Sequence, residues 1–286
     1  MSARTSNRTA NRTEGVVTGA SHTALGLWSL VVIGPMLWAV VSSFKTTDEI
    51  FASPFGLPSH WTFDNYVAAW STAGIGSYVL NSVVVVSGAL VVTMSLGAMS
   101  AYVIARFEFP GRRVVQNAIL GGMTFPLFLA IVPLFFILQQ MGLLNTRIGL
   151  ILVYGAFSYP FTVFFLVSFF ADLADEIAEA AAIDGAGEWR TFFSVMLPMA
   201  SPGLAAVAIL NFVGLWNQYL LPVVLNTDPE KYVLTQGMAS FASRAGYAVD
   251  FGALFAGAVM TVLPVLVVYL VFQRRLQESV TQGGVK

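Results

Sequence analysis

Residues 65–105 read NYVAAWSTAGIGSYVLNSVVVVSGALVVTMSLGAMSAYVIA, with no Asp, Glu, Lys, Arg or His in the run. A helix needs ~20 mainly apolar residues to cross the hydrocarbon core of a bilayer. This run exceeds one span, and its densest part predicts a helix over 77–105. The same reading applies to the other charge-free windows: Thr23–Phe44, Val114–Thr146, Ile148–Ala171, Thr191–Thr227 and Phe251–Gln273. They predict spans at 23–44, 115–138, 148–170, 200–224 and 251–273. Residues 1–22 hold little that is apolar and read as a disordered tail. The expected fold is an all-α integral membrane domain of six transmembrane helices over 23–273, followed by a tail at 274–286. Composition agrees: 57% of the chain is apolar and 10% charged, against about 25% charged in soluble domains.

The same counts exclude several classes of function. A net charge of −1 offers no basic field for nucleic acid. With no cysteine and only two histidines, His22 and His60, there is no disulfide framework and no zinc-type cluster. The chain has no glycine-rich phosphate loop ending in Lys and Ser or Thr. The predicted spans lack ionisable residues, which proton relays and voltage sensors place at membrane depth. A membrane enzyme would also need an acid, base, nucleophile or metal, and the spans offer only Ser, Thr and Tyr. The chain therefore carries neither its own chemistry nor its own fuel, and energy would come from a partner.

Lys and Arg bias sets orientation. An arrangement with both termini inside keeps Arg106, Arg112, Arg113, Arg190 and the terminal basic residues in the cytoplasm. Lys45, Arg147, Lys231 and Arg244 then lie outside. The loop at 171–199 becomes cytoplasmic, and it is out of character for a membrane chain. Asp172, Asp175, Glu176, Glu179, Asp184 and Glu188 crowd into it. Leu173–Asp184 is rich in alanine, a strong helix former. Leu173, Ile177 and Ala181 recur at four-residue spacing, and Gly185 predicts the stop. The simple reading is a solvated connector; the sharper one is a rigid knob that seats in another protein's groove.

The run Glu179-Ala-Ala-Ala-Ile-Asp-Gly185, continued by Val195-Met-Leu-Pro198, resembles the E-A-A-x3-G-x9-[IV]-x-L-P signature of binding-protein-dependent ABC importer permeases. Other stretches are similar to elements of the carbohydrate-type, MalG-like subunits: Thr62–Tyr66, Ala101–Gly111, Leu215–Pro222 and the tail Thr281–Lys286. The tail departs from the family pattern at Val280 and Gly284 and lacks a final glycine. The resemblance implies a type I importer permease in the bacterial plasma (inner) membrane, multi-pass, with both termini inside. It implies a MalF-like second permease, an ABC ATPase dimer and an extracytoplasmic sugar-binding protein as partners. This chain would bind no cofactor, since ATP and Mg would sit on the ATPase.

In that family the loop at 171–199 forms the coupling helix. The resemblance therefore gives Glu179, Ala180, Ala181, Asp184, Gly185 and Pro198 to ATPase coupling. Glu179 would meet a polar or basic group, the two alanines would allow close approach, and Gly185 would make the turn. A sugar path needs hydrogen-bonding and aromatic side chains, which Asn211, Trp216, Asn217, Gln218 and Tyr219 supply. Helix–helix hydrogen bonding is the alternative explanation for such residues. A passive channel would show rings of polar residues along a span, and none is visible. A permease for a non-sugar solute stays open.

Overall fold

The computed structural model describes the backbone of residues 3–244 and 250–283. Among the described residues the structure is helical, with no strand: α1 Ala3–Ser42, α2 Thr47–Ala52, α3 Asp64–Val67, α4 Ile75–Arg106, α5 Arg112–Met123, α6 Leu127–Gln140 and α7 Arg147–Ala171. They continue as α8 Asp175–Ile183, α9 Glu188–Thr191, α10 Leu197–Met199, α11 Ser201–Trp216, α12 Leu220–Leu225, α13 Leu234–Arg244 and α14 Phe251–Gly283. Four continuous helical stretches are long and apolar enough to cross a membrane: Thr18–Ser42, Ile75–Arg106, Arg147–Ala171 and Phe251–Gln273. Two bent pairs bring the count to six. Arg112–Met123 with Leu127–Gln140 turns through 100°, and Glu188–Met199 with Ser201–Trp216 through 74°.

Three expectations need correction. First, helical backbone begins at Ala3, inside the stretch read as a disordered tail. Extending an existing helix gains one hydrogen bond per residue fixed, without a new nucleus. Second, the span expected at 115–138 is broken. Gly121 and Gly122 weaken the helix, and the Thr124 hydroxyl donates to the Gly121 carbonyl (2.8 Å). Pro126 then holds extended backbone as the N-cap of α6. Third, the span expected at 200–224 stops at Trp216. The Gln218 side-chain oxygen accepts from the amides of Tyr219 (3.1 Å) and Leu220 (3.2 Å) and starts α12 afresh.

The chain divides into two compact units, Met1–Thr72 with Ala245–Val259, and Ala73–Arg244 with Met260–Lys286. In the first, Lys45 is buried and donates to the carbonyls of Ser53 (2.9 Å) and Pro54 (3.3 Å). Asn65, from the Thr62–Tyr66 element, donates to the carbonyls of Ser43 (2.8 Å) and Lys45 (2.9 Å). That element therefore ties down the C-terminal end of α1. His60 is exposed and forms no cluster. Along α1, Leu25, Trp28, Leu30 and Val31 stand outward, so the helix is apolar on surfaces its own chain leaves uncovered. Such a helix belongs in lipid or against other helices.

The second unit is built on α4 packed against α7. A Cβ built on Gly97 would lie 2.5 Å from the Thr162 Cγ2, and one on Gly155 would lie 3.2 Å from a Val92 methyl. Small residues let backbones approach closely, the usual device between membrane helices. Gly97→Leu is expected to force the pair apart at a cost of ~1–3 kcal/mol. The check is the thermal midpoint of the detergent-solubilised protein, which should fall by several degrees; an unchanged midpoint would contradict this account of the contact.

The turns around Arg147 and Asp228 are fastened by polar side chains. Arg147 Nε donates to Asn81 Oδ1 (2.9 Å), and Asn81 Nδ2 donates to the carbonyls of Glu230 (2.9 Å) and Tyr232 (3.0 Å). Asp228 pairs with Lys231 at 2.7 Å. Hydrogen bonding from Lys231 and from the Glu230 amide holds the Asp228 carboxyl below its usual range.

Candidate functional site

The acidic segment is one short helix, α8, with a defined device at each end. At its start, Arg106 closes the last turn of α4 and is only 9% exposed at its side chain. Its guanidinium donates to the Leu173 carbonyl (2.8 Å) and the Ala174 carbonyl (3.5 Å), and pairs with Asp175 at 2.8 Å. The cation sits at a helix C-terminus, while Asp175 and Glu176 sit in the first turn of α8. Both placements suit the helix dipoles.

At the other end the Gly185 amide donates to the Ala182 carbonyl (3.0 Å), and the Ala186 amide to the Ala181 carbonyl (2.9 Å). This pair of bonds is a Schellman cap, which needs a left-handed residue just past the helix. Gly185 supplies it with φ +77°.

Between these ends the helix has two faces. Leu173, Ile177 and Ala178 pack against a buried cluster that includes Tyr102, Leu166, Phe170, Phe192 and Met196. Ala181 is buried as well. Ala181, which the resemblance gives to ATPase coupling, therefore sits on the inner side of α8. The four-residue stripe Leu173, Ile177, Ala181 is the inner face, and the small side chain there lets α8 lie close to its own fold. The outer face carries Glu176, Glu179, Ala180, Ala182, Ile183 and Asp184, all exposed. Ile183 is 86% exposed.

Downstream, the π-helical turn Phe192–Met196 carries the chain into α10, with the Leu197 amide donating to the Phe192 carbonyl. Tyr102 meets the rings of Phe170 (5.6 Å) and Phe192 (5.0 Å), anchoring this turn to α4 and α7. Pro198 is exposed in α10 and Pro202 opens α11. Proline lacks the amide a continuing helix would use and crowds the preceding turn, which accounts for the 74° bend between them. Trp189 and Phe193 stack outward on the same segment (ring centroids 5.9 Å apart).

The polar residues of the fifth predicted span divide. Asn211 and Gln218 line one cavity of about 290 Å³ together with Tyr154, Phe157, Ser158 and Phe161 of α7. Trp216 is buried elsewhere, its Nε1 donating to the Thr261 carbonyl (3.2 Å). Asn217 caps its own helix through the Val213 carbonyl (2.8 Å), and Tyr219 is half exposed. Neither lines that cavity. Tyr154 and Ser158 carry no signal in the sequence, because a tyrosine in mid-span looks like core. In the sequence Arg106 bears on orientation; its contacts with α8 come from the fold.

The family model for the binding-protein-dependent transport system inner membrane component matches residues 93–282, most of the chain and all of this segment. The chain belongs to this family. It is a multi-pass inner-membrane permease component of an ABC transporter and is not the catalytic part of one. It is 66% identical over 263 residues to the diacetylchitobiose uptake system permease protein NgcG of Streptomyces coelicolor, covering 92% of this chain and 87% of that one. It is 35% identical over 252 residues to the trehalose transport system permease protein SugB of Mycobacterium tuberculosis, covering 88% and 92%. Its fold matches a chain of a bacterial ABC transporter involved in import of the acidic polysaccharide alginate. That match has a TM-score of 0.78 at 23% identity and covers 93% and 97% of the two chains. The Thr281–Lys286 tail motif lies outside the residues whose side chains are described.

Proposed function

We propose that this chain is one permease half of an ATP-driven sugar importer, with α8 as the lever that the ATPase moves. The observation that carries the reading is the construction of α8. It is clamped at Arg106, capped at Gly185, and presents Glu179, Ala180, Ala182, Ile183 and Asp184 outward. A helix held at both ends transmits a push to α7 and to the 188–216 segment instead of absorbing it. A ligand shifts a two-state equilibrium only by contacts that differ between the states, so the ATPase contact must change as ATP binds and leaves. An acidic, small-residue face fits a cleft lined by basic or polar groups.

Sugar as cargo is supported by similarity to NgcG and SugB, whose names specify diacetylchitobiose and trehalose. The remaining parts follow from this reading. A MalF-like chain completes the pair, a separate ABC ATPase dimer holds ATP and Mg, and an extracytoplasmic sugar-binding protein delivers cargo. Both termini and α8 face the cytoplasm.

Affinity purification from bacterial membranes should bring down a second permease and an ATPase. A cysteine placed at Glu179 should cross-link to that ATPase, while one placed at Asn217 should not. Recovery of the chain alone, or equal cross-linking from both positions, would remove this assignment.

A further inference from the structure

We propose that the cavity between α7 and α11 is a subsite for one ring of a neutral sugar, with Tyr154, Ser158, Asn211 and Gln218 as its hydrogen-bonding residues. The proposal rests on the sugar-import reading above and assigns the cargo contact within it. At about 290 Å³ the cavity lies near the lower end of the range for small-molecule sites. Its polar residues come from two segments: Tyr154 and Ser158, four apart on α7, and Asn211 of α11 with Gln218 in the break just beyond that helix. Phe157 and Phe161 add apolar ring faces. That mixture matches a saccharide, which offers hydroxyls at its rim and C–H groups on its faces. Among the described residues no charged side chain lines the cavity, so an acidic sugar would be left without a counter-charge. The larger cavity of about 570 Å³, lined by Met94, Met99, Phe192 and Leu204 among others, is mainly apolar and lacks this set.

Two observations point to an absent partner. The Tyr154 hydroxyl is buried and has no hydrogen-bond partner among the described residues, and Tyr154 is one of the residues lining the cavity. Buried polar atoms of this kind are uncommon and costly until something bonds them. The second observation is the orientation of Asn211. Thr162 Oγ1 donates to the Ser158 carbonyl (2.8 Å) and so must accept from Asn211 Nδ2 (2.7 Å). The amide nitrogen is thereby committed to Thr162, and Asn211 Oδ1 is left as an acceptor for the cavity. Gln218 is arranged the opposite way. Its oxygen caps α12, and its NH2 is left as a donor. Tyr154, Asn211 and Gln218 thus bring an unpartnered hydroxyl, an amide oxygen and an amide NH2 to the residues around the cavity. A Cβ at Gly214, on the same wall, would meet no atom within 4 Å, so this glycine leaves the cavity open.

The test uses the full transporter with its binding protein in proteoliposomes. Import and ATP hydrolysis are measured together for neutral disaccharides, with and without N-acetyl groups, and for a uronic-acid disaccharide. Tyr154→Phe keeps the ring and removes only the hydroxyl. It is expected to cut neutral sugar imported per ATP hydrolysed by roughly fivefold, the order of one lost hydrogen bond, while raising the thermal midpoint of the sugar-free protein. Gly214→Leu is expected to cut import of disaccharides more than that of monosaccharides, with ATP hydrolysis stimulated by the loaded binding protein retained. If the wild type imports neutral sugars and Tyr154→Phe imports them equally well, the subsite is wrong and the sugar-import reading stands. Loss of the partner permease from Gly214→Leu, with import by Tyr154→Phe unchanged, would show a helix-docking surface instead and also overturn the proposal. If the wild type imports none of the panel, the sugar reading itself fails and the subsite with it.

Discussion

Replacing Gly185 by valine is expected to leave the protein inserted and assembled while cutting ATP hydrolysis stimulated by the loaded binding protein by roughly 5- to 30-fold. Residue 185 holds φ +77°, and a left-handed backbone costs an ordinary L-residue roughly 1–2 kcal/mol, because Cβ approaches the following carbonyl. A β-branched residue fits there worst. No neighbouring atom lies within 4 Å of a Cβ at this position, so the penalty is one of backbone conformation and not of crowding. Valine would therefore loosen the cap formed by the Gly185 and Ala186 amides and let the exposed end of α8 fray. That end carries Ile183 and Asp184, so ATPase motion would be spent on the fraying turn. Gly185→Asn separates this explanation from simple loss of a small residue. Asparagine tolerates the left-handed region and should retain most of the activity. The measurement is ATP hydrolysis by the reconstituted complex, with and without loaded binding protein. Equal loss in both variants would show that size at position 185 matters and the backbone angle does not.

Much of this architecture is legible in the amino-acid sequence because the bilayer enforces a simple rule. A charge-free run of sufficient length has few alternatives to a membrane helix, and α4, α7 and α14 lie where such runs predict. The breaks are harder to read. Pro133, Pro160 and Pro264 sit inside continuous helices, whereas Pro126 marks a 100° turn. Composition cannot separate these cases. What distinguishes Pro126 is the Gly121-Gly122 pair before it and the Thr124 hydroxyl bonded back to Gly121, a local competition visible only once the geometry is known. The candidate coupling segment shows the same division. The end at Gly185 follows from the residue type, but which face of α8 is inward depends on the cluster around Tyr102 and Phe170. The stripe Leu173, Ile177, Ala181 was the available clue, since a four-residue repeat of apolar and small residues marks the face a helix buries. Tyr154 left no such clue, because nothing in a sequence distinguishes a bonded tyrosine from an unbonded one.

Arg106 gives the second large effect. Arg106→Met is expected to accelerate hydrogen exchange of the α8 amides by roughly tenfold to hundredfold, whereas Asp175→Asn should change it by less than about fivefold. The asymmetry follows from burial. The Arg106 side chain is 9% exposed and Asp175 is 84% exposed, so the ion pair is screened by water and contributes little, ~0–1 kcal/mol. The bonds from the same guanidinium to the Leu173 and Ala174 carbonyls are a different matter. A hydrogen bond from a charged donor contributes ~1.5–3 kcal/mol, and removing the donor leaves a partly covered carbonyl unsatisfied. Methionine keeps much of the aliphatic volume against the Tyr102 cluster while losing every donor, so packing is disturbed least. Because Arg106 joins the end of α4 to the start of α8, its loss should uncouple transport along with loosening the helix, even though Arg106 lies outside the Glu179–Gly185 motif. Mass-spectrometric exchange on the purified complex reads both variants directly. If Asp175→Asn loosened α8 as much as Arg106→Met, the ion pair would be the clamp and the carbonyl bonds incidental. If neither did, α8 would be held by its inner face alone, through Ile177, Ala178 and Ala181.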